Sequence, residues 1–398
     1  MERLLLSRLY FSKRIGTNVF CNILEGKTIF ASFLCIASNM SKTVLVAPLN
    51  WGLGHATRCM PIINELLRQG AQVLLASDGA AYQLLKKEYP DLPIFELPAY
   101  NIRYPFASMV LSIALQMPKI LRGCWDEHRW LNNFLKTHHI DVVISDNRFG
   151  MYHNDIKSVF MTHQVHIQTP FSKIVNALNH YCIRKFDTCW IPDFEDEKRN
   201  LAGILAHGKM PSTINFRYIG ALSRFEYTDV RKKYVLTAIL SGPEPQRTYF
   251  EEKIISEFQA LKAKYGDKIK PFVIVRGVVE SKLNSIKLNN ITIYNYLTSK
   301  KLNQIMLESE IIIARSGYST IMDLASLQSN AILIPTEGQT EQIYLATKLR
   351  SERVCYSENQ NQLNIEAALL TPNIYKGFKK LSDKKQLLQE IISEIMKF

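Results

Sequence analysis

The chain has 398 residues, 47% hydrophobic and 21% charged, a balance that excludes a disordered polypeptide and leaves room for two domains of ordinary size. Its formal net charge of +13 favours an acidic partner such as a sugar nucleotide or an anionic membrane surface; nucleic acid is disfavoured because no binding module and no dense Lys/Arg run with interleaved aromatics is present. Seven scattered cysteines without a CxxC pair argue against a disulfide frame and a zinc site, and suit a reducing cytoplasm.

Residues 1–39 differ in texture from the rest, with Arg3, Arg8, Lys13 and Arg14 ahead of an apolar patch at 29–36. The patch is too short to span a bilayer and the SNMS after it makes a poor cleavage site, so Met40 reads as the working start and 1–39 as a leader outside the fold. The first core strand follows at 42–47 (KTVLVA). It runs into PLNWGLGHATR at 48–58, a helix to about residue 70 and a strand at 72–76, a βαβ opening with a glycine-rich turn. Thr57 stands where the dinucleotide fingerprint needs its last glycine, and no Gly-Lys-Ser/Thr follows, so an NAD enzyme or an NTPase is disfavoured. Gly52 and Gly54 still let a ligand approach the backbone at a helix amino end, and His55 is read as projecting from the turn itself.

The stretch PFASMVLSIALQM at 105–117, bounded by prolines and followed by Lys119, Arg122, His128 and Arg129, has the length of a buried helix or of an interfacial lip resting on a membrane. Strands at 141–145 and 158–161 end at Asp146 and at THQVH (162–166). Asp146, His163 and His166 therefore fall on the sheet edge that carries His55, as acid/base groups or as satisfied structural ones. Residues 216–222 close a first domain (40–225), a charged linker follows, and a strand at 234–240 opens a second (226–398). After that strand comes SGPEPQR. Pro243 and Pro245 remove two amide donors beside Gly242, so Arg247 is assigned the charge that faces a diphosphate.

Residues 314–346 read ARSGYSTIMDLASLQSNAILIPTEGQTEQIYLA. The short apolar strand at 311–314 ends in a turn at Arg315, Ser316 and Gly317, and Ser319 and Thr320 open a helix whose free amides suit a phosphate. Asp323 lies about one turn on, at reach of a ribose diol. A second strand at 331–335 leads into a polar loop with Gln339, Glu341 and Gln342, at the carboxyl end of the sheet where open α/β folds bind ligands.

RSGxSTxxD followed by PxxGQxEQ resembles the donor-binding signature of the glycosyltransferase family that adds N-acetylglucosamine to the lipid-linked peptidoglycan precursor, with plant galactolipid synthases as relatives. The resemblance implies a GT-B fold, two Rossmann-like doubly wound α/β domains facing a cleft, with the terminal helix from 383 crossing back onto the first domain. It places Gly52, Gly54 and His55 between the two substrates. The family has Glu where Asp323 stands, His-Glu-Gln where Thr162–Gln164 stands, and Gly-Gly-Ser in place of the proline-bearing loop at Gly242. The reaction expected is metal-independent transfer from a UDP-sugar to a hydroxyl acceptor, lipid-linked or glycan, at the cytoplasmic face of a membrane, with no cofactor. Phosphates go to Ser316, Gly317, Ser319, Thr320 and Arg247, ribose to Asp323, and sugar hydroxyls to Gln339, Glu341 and Gln342. No Asp-x-Asp metal motif is present. Inversion needs one general base, taken as His55, then His163, then Asp146. A UDP-sugar 2-epimerase and a sugar-nucleotide-binding subunit without chemistry are the alternatives.

Overall fold

Runs such as TVLVAP, VVISD and KSVFM lack the polar alternation of a half-solvated strand, and each becomes a strand buried on both faces of a parallel sheet. The computed structural model describes residues 41–102, 115–169, 171–242, 244–279, 285–369, 374–381 and 384–397. The expected leader, most of the apolar lip and Pro243 lie outside the described residues.

The first lobe alternates β1 (Thr43–Pro48), α1 (Leu53–Arg68), β2 (Gln72–Ser77), α2 (Gly79–Glu88), β3 (Ile94–Glu96), α3 (Met117–Phe134), β4 (Val142–Asp146), β5 (Lys157–Met161), α4 (Ser172–Ile183), β6 (Thr188–Ile191) and β7 (Phe216–Tyr218). The second runs β8 (Tyr234–Ile239), α5 (Gln246–Tyr265), β9 (Phe272–Val275), β10 (Ser285–Leu288), β11 (Ile291–Tyr294), α6 (Ser299–Leu307), β12 (Ser309–Ala314), α7 (Tyr318–Leu327), β13 (Asn330–Leu333), α8 (Thr340–Ser351), β14 (Tyr356–Ser357), α9 (Ile365–Leu369) and α10 (Lys384–Lys397). The sheets are ordered β3-β2-β1-β4-β5-β6-β7 and β10-β11-β9-β8-β12-β13-β14. Every pairing is parallel except β10 with β11. This is the doubly wound α/β architecture of two facing sheets.

Register decides what meets at the sheet edges. Pro48 pairs with Asp146 and Asp146 with Met161, so β1, β4 and β5 end level and deliver the 49–52 turn, Asp146 and the 162–166 loop to one place. In the second sheet Ala314 is level with Ile239 and Leu333, which gathers the Gly242, Arg315–Gly317 and Thr336 loops.

One apolar cluster spans both lobes, taking Met60 and Ile63 from α1, Leu302 from α6, Ile321 from α7 and Ile392 from α10. Residues 42–398 accordingly form one compact unit, and the stretch around residue 225 marks a change of sheet with no break in packing. The last helix, α10, lies on the first lobe: Gln69 Nε2 donates to the Gln389 carbonyl at 3.1 Å and Arg217 Nη2 reaches both Glu394 oxygens at 2.6 Å.

The chain enters α1 through Gly52, at φ 85° and ψ 163°, with nothing within 4 Å of where a Cβ would stand. Only glycine adopts this backbone region readily, so Gly52→Ala is expected to destabilise by about 1–3 kcal/mol through the backbone alone, read from urea denaturation.

Candidate active site

His55 lies inside the first turn of α1, a correction to its expected place in the preceding turn. The helix starts at Leu53 because Gly52 completes the bend at once. Asp146, the last residue of β4, is fully buried and faces it: His55 Nδ1 is 3.2 Å from Asp146 Oδ1. Between them reaches Arg58, one helical turn after His55 and on the same face. Its Nε donates to Asp146 Oδ2 at 2.7 Å, its Nη2 pairs with Oδ1 and also comes within 2.9 Å of His55 Nδ1, and its Nη1 donates to His163 Nδ1 at 3.0 Å.

Burial is the largest single influence and raises the Asp146 carboxyl, but the charges and hydrogen bonds of Arg58 and His55 together outweigh it and hold the group well below the usual carboxylate range. Burial and the Arg58 charge together lower His55, against a smaller opposing pull from Asp146. The ring is therefore neutral near pH 7. Nδ1 has both the Arg58 Nη2 donor and the Asp146 Oδ1 acceptor within reach; in the tautomer that donates Nδ1–H to Asp146, the Nε2 lone pair is free to accept a proton.

The other expected base is otherwise engaged. His163 takes the Arg58 donor on Nδ1, pairs through Nε2 with Glu341 Oε1 at 2.9 Å, and is stacked on Tyr318 at 4.4 Å. Asp146, spent on Arg58 and His55, holds them in place and has no free edge for a substrate. His166 lies apart from this group, its ring edge against His180.

From the second lobe, α7 presents its amino end to that of α1: Ser319 Oγ donates to the Gly54 carbonyl at 2.9 Å. A Cβ on Gly54 would stand 2.9 Å from the same hydroxyl, so the glycine is what allows the approach. Neither helix has a side-chain cap at its amino end or an acidic residue in its first turn. Two positive dipole ends thus converge where Arg58 already stands, a setting for a polyanion.

The remaining donor-block residues are placed as follows. Gly317 is the N-cap of α7, and Ser316 Oγ donates to the Gln342 carbonyl at 2.8 Å. Thr320 occupies the first turn of α7, and Asp323 Oδ1 accepts from Ser223 Oγ at 2.5 Å. The Gln342 side chain accepts from the Thr336 amide at 2.8 Å and pairs with Gln339, the N-cap of α8. Glu341 is drawn across to the first lobe, onto His163 and Gln164, instead of standing free for a sugar. Burial raises its carboxyl, but His163 together with the Arg58 and His55 charges more than compensates, leaving it lowered. Gly242 is exposed at φ 104°, and Arg247 is clasped by Glu244 through its Nε at 2.8 Å rather than pointing at a phosphate. Cavities of about 580 Å³ between β7 and α10 and about 190 Å³ beside α8 open elsewhere, and at the site itself the lobes touch through Ser319 on Gly54 and Glu341 on His163. Among the described residues no group of three His, Cys, Asp or Glu side chains stands where it could hold a metal.

Arg58 and Arg315 had no assigned role. The spacing of His55 and Arg58 was the available signal for the first. Arg315, 1% exposed, turns back beneath the donor loop, donating to the Ile334 and Pro335 carbonyls at 3.3 Å and to Gln360 Oε1 at 2.6 Å above the Phe250 ring. Burial lowers it to about 10.

Residues 248–394 match the glycosyltransferase family 28 C-terminal domain. No curated protein sequence matches the chain. Solved structures with the same fold include the glycosyltransferase of kitacinnamycin, at 13% identity and TM-score 0.58 over 90% of this chain and 100% of that one. MurG of Acinetobacter baumannii matches at 13% and 0.50 over 89% and 100%, and the spinosyn rhamnosyltransferase SpnG complexed with thymidine diphosphate at 13% and 0.54 over 89% and 96%. These likenesses show the GT-B fold, and the family 28 domain supports a glycosyltransferase that takes its sugar from a nucleotide sugar.

Proposed function

We propose that the protein moves a sugar from a UDP-sugar to a hydroxyl acceptor with inversion, His55 serving as general base. The observation that carries this reading is the meeting of the α1 and α7 amino ends, Gly54 against Ser319, beside the His55–Asp146 pair. The α7 end, with Ser316, Gly317, Ser319 and Thr320, receives the diphosphate. Gly242 and a released Arg247 flank it, and Asp323 turns from Ser223 to the ribose. Gln339, Glu341 and Gln342 take the sugar hydroxyls, while Gly52 and Gly54 border the acceptor. His55 Nε2 removes the acceptor proton as that oxygen bonds to the anomeric carbon, the bond to the diphosphate breaks, and the charge leaving with UDP develops against the two dipole ends, without a metal. A base near neutral pH and a preformed electropositive seat are the two parts such a displacement needs. The sequence resemblance favours N-acetylglucosamine as the sugar. With the surplus positive charge, it also favours a lipid-linked acceptor at the inner face of a membrane.

Glu341 now occupies the sugar side of the gap through His163, so donor binding must displace it, and the two lobes part and close again around the ligand. UDP and UDP-sugars are expected to raise the melting temperature, by mass action on the native state, more than TDP or GDP do. A shift with TDP and none with UDP would move the donor assignment to the nucleotide held by the rhamnosyltransferase. Binding of UDP-sugar without UDP release on any acceptor, or with interconversion of the sugar, would end the transferase reading.

A further inference from the structure

On the first lobe, α4 is inside out. Its inward face is polar: Asn176 Oδ1 accepts from the Ile167 amide at 2.7 Å, Asn179 Nδ2 donates to the Gln164 carbonyl at 3.1 Å and His180 Nε2 meets the Val165 carbonyl at 2.9 Å. These bonds hold the loop that carries His163 and Gln164. The outward face is apolar, with Phe171, Ile174, Leu178 and Tyr181, spaced three, four and three apart, each between 54% and 66% exposed. Neighbouring α3 adds Leu121 and Trp125 one turn apart, 61% and 59% exposed. The two helices are joined through Tyr152, which stacks on His128 of α3 at 4.5 Å and lies 5.2 Å from Lys185 Nζ just past α4. A helix that turns its polar side to the protein and its apolar side to water is covered by something in use.

Charge says what covers it. Over 115–134 and 171–187 the exposed cations are Lys119, Arg122, Arg129, Lys173, Arg184 and Lys185, against the outward carboxylates Asp126 and Asp187. Arg129 lies over the Trp125 ring at 5.5 Å and Arg184 over Tyr181 at 5.6 Å, the aromatic and basic pairing of a side that sits at headgroup level. A second copy would bring the same six cations to face these, which opposes self-association. We propose that α4, with α3 beside it, is the face by which the protein docks on an anionic lipid surface, the apolar stripe entering the interface and the six cations meeting lipid phosphates. The proposal extends the reading of a membrane-side acceptor by naming a surface, and gives that surface a direct tie to the active-site loop.

The test is co-sedimentation of the full chain with vesicles of phosphatidylcholine alone and of phosphatidylcholine mixed with phosphatidylglycerol, for the natural protein and for the double variant Ile174→Ser, Leu178→Ser. The natural protein is expected to pellet with the mixed vesicles, less as salt rises, and the variant to bind at least about tenfold more weakly with an unchanged melting temperature, since both side chains are already in water. Equal pelleting of variant and natural protein, equal pelleting on neutral vesicles, or no pelleting at all overturns the proposal. So does a dimer in sedimentation velocity that the variant abolishes, which would make the stripe a contact between copies. The assay needs no turnover: vesicle binding without UDP release would defeat only the transferase reading, and transfer to a soluble acceptor by protein that stays in the supernatant would defeat only this one.

Discussion

His55→Ala is expected to lower the rate of sugar transfer by about 10²–10⁴-fold, the usual contribution of a positioned general base, while leaving the UDP-induced rise in melting temperature in place. The side chain is only slightly exposed, and its polar contacts are two, both at Nδ1: Asp146 Oδ1 at 3.2 Å and Arg58 Nη2 at 2.9 Å, groups that also hold each other. Its loss therefore removes a proton acceptor more than a support. pH gives a second reading of the same group. A base works when neutral, and burial with the Arg58 charge lowers the His55 pKa below its ordinary value of 6.5, so the acid limb of kcat/KM is expected to fall below pH 6.5 and the rate to be level through neutrality. The limb should vanish in the residual activity of the alanine variant. Turnover that His55→Ala leaves untouched would pass the role to another group, and His163→Ala is the comparison, since both nitrogens of that ring are already engaged.

Short-range features of this site were readable in the chain and long-range ones were not. Apolar runs closed by Gly52 or by Ser316 and Gly317 announce strands that end in ligand-facing turns, because the turn chemistry lies within a few residues of the strand it ends. Asp146 and His163 could be assigned to the same sheet edge as His55, since parallel strands end level. What could not be read is which partner each would take. The Arg58–Asp146 pair is 88 residues apart and the His163–Glu341 pair 178, and no local spacing encodes either. Arg247 was given to the phosphate on charge alone, whereas Glu244, three residues earlier, reaches it first. Ser319 was read as a phosphate contact at the amino end of its helix, and no local spacing announces that its hydroxyl is committed to the Gly54 carbonyl of the other lobe. The stripe of α4 shows in the sequence as spacing, but only the fold reveals that its polar side faces in.

Asp146→Ala is expected to destabilise the protein by about 3–5 kcal/mol, because it strands a guanidinium that is 2% exposed without its carboxylate. Arg58→Met should cost a similar amount for the opposite reason. If the pair stands or falls together, the double variant should cost less than the sum of the two by about 0.5–3 kcal/mol in urea denaturation of the full chain, and strict additivity would show that other groups neutralise each charge. The pH dependence has a definite sign. The Asp146 pKa is depressed in the fold, so its stabilisation is complete above the unfolded carboxylate value of about 3.9 and is lost as pH falls below that toward the depressed value. Asp146→Asn should flatten that loss. It should also separate support from chemistry: the amide keeps the shape and an oxygen for Arg58, but its NH₂ turned to His55 would donate to Nδ1, place the imidazole proton on Nε2 and leave no lone pair for the acceptor. A folded Asp146→Asn variant is thus expected to be nearly as slow as His55→Ala and still to bind UDP, whereas a carboxylate that only neutralised Arg58 would leave a stable variant fully active.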